Sequence, residues 1–317
     1  MTRSAARLVT TLPFTPVITR PLPGTVTPFP NETVDSYISR LASANRTTPH
    51  ILRTPSHWLR CPLNDLELLE LLSGQPRTSL VWALPELRCY EPGIALPPRT
   101  PDVITRFACR RCVWQAGGTG TVHVHAPTHY DLVCLRHGIW HSEGVKAIGQ
   151  QIDLAPVPEV IRAQMLINRL ERRHGQRFIA ECYRVCERHW AELDRRGLVR
   201  NGAVALLKRL PLTDINDLRP LGPHHRFRRV TRFPQLARFT ALVASLALRH
   251  AANTLGEKAG PTILAEFERT FQLDYRPRSI TRPWMETALI HVVVTMADVV
   301  RMLRLSETDT STPSRSI

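Results

Sequence analysis

Cys109 and Cys112, followed after 21 intervening residues by Cys134 and His137, constrain this chain more than any other feature. They read C-R-R-C and C-L-R-H, two pairs at the same two-residue spacing. Each pair forms a knuckle that offers two ligand atoms to one side of a metal. Three thiolates and one imidazole make a closed tetrahedral zinc set. A lone C-x-x-C could equally be a redox dithiol or two ordinary cysteines; a second knuckle at this distance selects one zinc ion. His123, His125, His129 and His141 are nearby alternatives for the fourth ligand. His137 is preferred because Gly138 follows it, free to take the tight turn of a knuckle. Such a site organises a chain that could not bury enough core by itself, so it predicts a binding protein before an enzyme.

The chain has 317 residues, 43% of them apolar, which is enough for two or three domains with real cores. No run reaches the ~18 uncharged apolar residues that span a bilayer. Seven cysteines, an odd count, and no readable signal peptide predict a reducing, cytoplasmic compartment, nucleoid-associated if DNA is bound. The first residues carry Arg3, Arg7 and Arg20 without an acid. A transit peptide has that composition. Pro13, Pro16, Pro21 and Pro23 would break its amphipathic helix, so a disordered basic arm over residues 1–23 is expected. The tail over 307–317 is also disordered in composition.

Net charge is +15, with 15 basic and 10 acidic groups in residues 1–150 and 27 and 17 in the remainder. Leu218 to Gly256 holds no acid but seven arginines, among them Arg226, Arg228, Arg229 and Arg232. That stretch predicts contact with a polyanion, DNA first. The alternative is charge that only keeps the protein soluble.

The fold is expected to be mainly α, with a helix–turn–helix-like domain over 24–98, a zinc-knuckle β-hairpin domain over 99–150 and a helical domain over 151–306. A first helix is expected to begin at Asn31 and Glu32 and to bury Val34, Tyr37, Ile38, Leu41 and Ala44 on one face. Asn45 is expected in the left-handed conformation that closes it. Thr48 and Pro49 then open a second helix that buries Ile51 and Leu52. Asn64 and Glu67 form a capping box, Gly74 ends that helix and Pro76 starts the next. Two helix–turn–helix units suit groove reading, with Arg46, Thr47, His50 and Arg53 as DNA contacts; a plain helical bundle is the alternative. Between the knuckles, T-V-H-V-H alternates as a strand does, in a small hairpin expected to hold the metal.

Helices are expected over Pro158–His174, Arg177–Arg196, Pro234–Asn253, Pro261–Phe271 and Pro283–Leu305. Cys182, Cys186 and His189 share one helical face and could bind a second metal. Phe178 and Leu193 lie on that face too, which reads as a core stripe. No phosphate-cradling glycine motif, nucleophile elbow or H-E-x-x-H is present, so no catalytic residue is assigned.

Residues 20–145 resemble the TniQ/TnsD family of transposition proteins. The resemblance rests on P-L-P-G-T-V-T-P-F-P-N-E-T-V-D-S-Y-I-S-R-L-A-S-A-N, on F-A-C-R-R-C and on L-V-C-L-R-H-G. It implies a non-enzymatic accessory protein that helps choose a transposition target. Such a protein binds DNA, or a guide complex that does so, and recruits an AAA+ ATPase that engages the transposase. A homodimer is a further expectation. The family's metal ligands fall on Cys109, Cys112, Cys134 and His137. Many members add a C-P-x-C-G knuckle where this chain reads I-W-H-S-E-G-V-K-A-I-G, which implies a short, single-zinc member dependent on partners. The competing readings are a zinc-stabilised helix–turn–helix transcriptional regulator and a metal-dependent enzyme acting on nucleic acid.

Overall fold

The structure, a computed structural model, describes residues 20–53, 63–91, 104–118, 120–126, 128–142, 145–195, 205–210, 226–251, 259–271, 287–290 and 292–297. Most of the expected basic arm, the tail, and the ends of the expected Pro283–Leu305 helix lie outside the described residues. The chain is mainly helical, with two small antiparallel sheets. No described helix is long and apolar enough to cross a membrane. The backbone divides into two units: Met1–Ala108 with Val113–Ala126, and Cys109–Cys112 with Pro127–Ile317.

The first unit contains α1 (Val34–Ala44), α2 (Pro49–Arg53), α3 (Asp65–Ser73) and α4 (Arg77–Ala83). Their apolar faces meet in a core that includes Tyr37, Leu41, Leu52, Leu66, Leu69, Leu80 and Leu84. The capping box forms as the sequence predicts: Asn64 Oδ1 accepts the Glu67 N–H at 3.0 Å, and Glu67 Oε2 accepts the Asn64 N–H at 3.0 Å. Gly74 closes α3 in the left-handed region at φ 65°.

Four local expectations are corrected. α1 starts at Val34 with Thr33 as its cap, because Glu32 has another task. Its carboxylate is fully buried and accepts from the Phe29 N–H, the Ser36 hydroxyl and Arg40 Nε and Nη2. Asn45 is not left-handed; Arg46 is, at φ 51°. The Asn45 amide instead donates to the Gly24 and Leu41 carbonyls and accepts the Gly24 N–H, which fixes it in place. On α2, Leu52 is buried but Ile51 is 50% exposed, since a helix this short turns only one side to the core. Ala44 is likewise exposed.

β1 (Ile104–Phe107) pairs antiparallel with β2 (His123–Ala126), placing Arg106 opposite Val124. The T-V-H-V-H stretch is therefore strand from His123 onward, as its alternation predicts. The strand itself carries no ligand: Glu32 bridges Val124 and the Ser36 hydroxyl oxygen accepts the His123 N–H, while Cys109 and Cys112 lie in the connection between β1 and β2. Between β1 and β2 lies α5 (Arg110–Gln115), whose first residues group with the second unit.

The second unit opens with a three-stranded sheet of β3 (Val133–Cys134), β4 (Ile139–Trp140) and β5 (Ile152–Asp153), in that order. α6 (Pro158–His174), α7 (Gln176–Arg195), α8 (Arg226–Ala251) and α9 (Ala259–Phe271) follow. α6, α7 and α8 pack on one another, and α9 packs on α8. Trp140 of β4 stands edge-on to Phe233 of α8 at 5.7 Å between ring centres, tying sheet to helices. α8 begins well before Pro234, which lies inside it rather than at its start. A helix-interior proline costs ~3 kcal/mol. The turns before it deliver Phe227, Val230 and Phe233 to the core, and burying side chains of that size is worth about 1.5–3 kcal/mol each, which outweighs the proline.

Candidate metal centre

Two short turns build the site. The first knuckle carries Cys109 and the opening of α5 with Cys112. The second is the β3–β4 turn, where the Gly138 N–H donates to the Cys134 carbonyl at 2.8 Å and Gly138 sits at φ 59°. A β-carbon added at Gly138 would lie 3.1 Å from Ile161 Cδ1, so the turn admits glycine for both its backbone and its space.

The ligand-type atoms of Cys109, Cys112, Cys134 and His137 all lie within 4.8 Å of one another. His137 Nδ1 is 3.6 Å from Cys109 Sγ, 3.2 Å from Cys112 Sγ and 3.7 Å from Cys134 Sγ. Cys112 and Cys134 sulfurs stand 3.6 Å apart. Bonds of about 2.3 Å to sulfur and 2.0–2.1 Å to nitrogen in a tetrahedron put ligand atoms about 3.5–3.8 Å apart. The residues therefore fit a tetrahedral ion, and the group can hold a metal. With four protein ligands no coordination position is left for a reacting water, so the arrangement favours structure over hydrolysis.

Electrostatics point the same way. The Cys134 thiol is pulled down to about 5, first by the hydrogen bond from the Cys109 thiol, and also by the His137 backbone N–H. Cys109 is pushed up by that same bond and by burial, and burial chiefly raises Cys112. One thiolate among thiols is the state from which a cation displaces the remaining protons.

Polar contacts hold the knuckles in register. Arg111 donates Nη1 to the His137 carbonyl at 3.3 Å and Nη2 to Asp153 Oδ2 at 2.8 Å. The Arg110 N–H donates to Gln151 Oε1 at 2.9 Å. Sequence reasoning missed Arg111, Gln151 and Asp153, because some forty residues separate the partners and no local pattern marks them.

The rival histidines stand elsewhere. His125 Nε2 is 2.9 Å from Glu86 Oε1, and His123 stacks against Phe107, both in the first unit. His129 packs between Tyr130 and Tyr183, and His141 is buried outside the ligand group. Cys182 and Cys186 are fully buried in the helical core with Phe178 and Leu193, and His189 Nδ1 meets the Val185 carbonyl. Among the described residues they make no second ligand group, so the core-stripe reading holds.

The candidate DNA contacts fall in two places. Arg46, His50 and Arg53 are exposed around the α1–α2 turn, where Thr47 donates its N–H to Ala42 and Arg53 pairs with Asp35 at 2.8 Å. Arg226 opens α8. Arg228 and Arg232 are half-buried on that helix, and Arg229 forms an ion pair with Glu187 of α7.

Comparison with known proteins found no matching family model, no matching curated protein and no matching solved structure.

Proposed function

We propose that this chain is a zinc-stabilised, non-enzymatic adaptor of DNA transposition, related to the TniQ/TnsD proteins it resembles. It would bind DNA or a DNA-bound complex and recruit an AAA+ ATPase that engages the transposase. The observation that carries the reading is the ligand group of Cys109, Cys112, Cys134 and His137. It has the chemistry of a closed zinc site, and its two knuckles come in the order and spacing on which the resemblance rests. The helical first unit, with capped α3 and short α1 and α2, also supports it. A surplus of 15 positive charges supplies the attraction for nucleic acid.

The test is capture of a purified transposition AAA+ ATPase by the zinc-loaded chain, with and without duplex DNA. Retention of the ATPase supports the adaptor. Tight, sequence-specific DNA binding with no ATPase retained would instead identify a transcriptional regulator.

A further inference from the structure

The cationic surface best placed for nucleic acid is not the arginine-rich segment that dominates the sequence. In α8, Arg229 pairs with Glu187 and Arg249 with Glu266 at 2.7 Å, Arg228 and Arg232 are half-buried, and of the described arginine side chains only Arg238 is exposed. α6 presents a different picture. Val160, Ala163, Gln164 and Ile167 face the core, while Arg162, Met165, Arg169, Arg172 and Arg173 are exposed. At ~100° per residue those five positions fall within about 100° of arc, opposite the buried face. The stripe runs about 16 Å at 1.5 Å per residue.

The two acids of α6 lie near Arg162 and Arg172 but make their hydrogen bonds elsewhere. Glu159 pairs with Arg209 at 2.7 Å, and Glu171 turns inward to accept the Tyr130 hydroxyl at 2.7 Å. None of Arg162, Arg169, Arg172 and Arg173 forms an ion pair with a described residue. Four exposed guanidinium groups on one helix match the spaced negative charge of a phosphate backbone. No aromatic ring stands in the stripe to stack unpaired bases, so a double helix fits better than a single strand.

The metal knuckle supports this face. Ile161 fills the space beside Gly138, and Gln164 Oε1 accepts the Leu132 N–H one residue before β3. α6 is thereby positioned by the second knuckle.

We infer that the exposed arginine stripe of α6 (Arg162, Arg169, Arg172 and Arg173) is a docking surface for the phosphate backbone of duplex DNA, held in place by the metal knuckle. The inference rests on the nucleic-acid contact proposed above and names where it occurs. It predicts affinity without base specificity, since phosphate contacts carry no sequence.

The experiment measures binding of the metal-loaded full chain to a 30-base-pair duplex across a salt series. In R162Q/R169Q/R172Q/R173Q, affinity at about 0.1 M salt should fall on the order of 100-fold, and the slope of log K against log salt should lose about 3–4. The matching quadruple Arg→Lys variant should keep the wild-type slope, because charge is retained. Wild-type affinity and slope in the Gln variant would overturn the inference, as would tighter binding to a single strand or an RNA duplex. A chain that captures the ATPase yet binds no duplex at about 50 mM salt overturns the inference and leaves the adaptor reading standing. A chain that binds duplex through these arginines but captures no ATPase does the reverse.

Discussion

The Leu132 backbone N–H donates to Gln164 Oε1 at 3.0 Å, a hydrogen bond between the lead-in to the second knuckle and the buried face of α6. Gln164 is 1% exposed, and its amide nitrogen donates in turn to Asn168 Oδ1. A buried amide at this position links metal geometry to helix position.

Replacing Gln164 with leucine should strand the Leu132 N–H in the interior. The expected cost is about 1–3 kcal/mol in urea unfolding. Metal should also leave Q164L faster in a chelator chase, because β3 loses its anchor. Unchanged unfolding and unchanged metal release would show that the sheet holds the knuckle without α6.

Cysteine substitutions should separate into two classes. C112S and C134S should lose bound metal and unfold at far lower denaturant, since a structural site contributes folding free energy directly. C182S and C186S should keep full metal content, losing only packing. Among the described cysteines of the native protein, the exposed Cys89 should react with a thiol reagent first. Cys182 and Cys186 should resist, because burial raises both thiols. Metal content by atomic absorption and mass-resolved labelling check both.

Glu171 predicts a pH signature. Burial raises its carboxyl above the ordinary value, against the hydrogen bond from Tyr130. A carboxyl raised on folding gives stability that is present below its unfolded value and lost as pH rises through its folded value. Measured against E171Q, the native chain should therefore be relatively most stable near pH 4 and lose ground as pH climbs above 4.5, the ordinary glutamate value. A gap between the two proteins that stays constant with pH would show that Glu171 titrates as in the unfolded chain.

N64A should remove the reciprocal cap of α3 and cost about 0.5–2 kcal/mol in thermal or urea unfolding. G74A should cost a similar amount or more: it forces an alanine to φ 65° and places its β-carbon 3.0 Å from Pro21.

Elements that depend on neighbours in sequence were readable from the sequence. The Asn64–Glu67 box, the Gly74 stop, the start of α6 at Pro158 and the buried cysteine stripe of α7 all follow from local spacing. So does the ligand set, because each knuckle is a local turn. What stayed hidden depends on partners distant in sequence. The acid-free run around Arg229 looks like an open cationic face until Glu187 arrives from another helix. In a residue count α6 offsets half of its four arginines with two glutamates, but Glu159 and Glu171 each hydrogen-bond to other partners. Pro234 signals a helix start locally, but Phe227, Val230 and Phe233 hold the preceding turns in place.

The chain passes between its two units after Ala108, again after Cys112 and again after Ala126. A metal joining Cys112 to Cys134 thus closes a loop whose residues 113–126 serve the other unit. No single cut in the sequence yields two complete pieces: a cut after Ala108 removes residues 113–126 from the first unit, and a cut after Ala126 separates Cys109 and Cys112 from Cys134 and His137. The units cannot be traded between proteins as separate cassettes, and any recombination event that replaced one would have to rewrite the other.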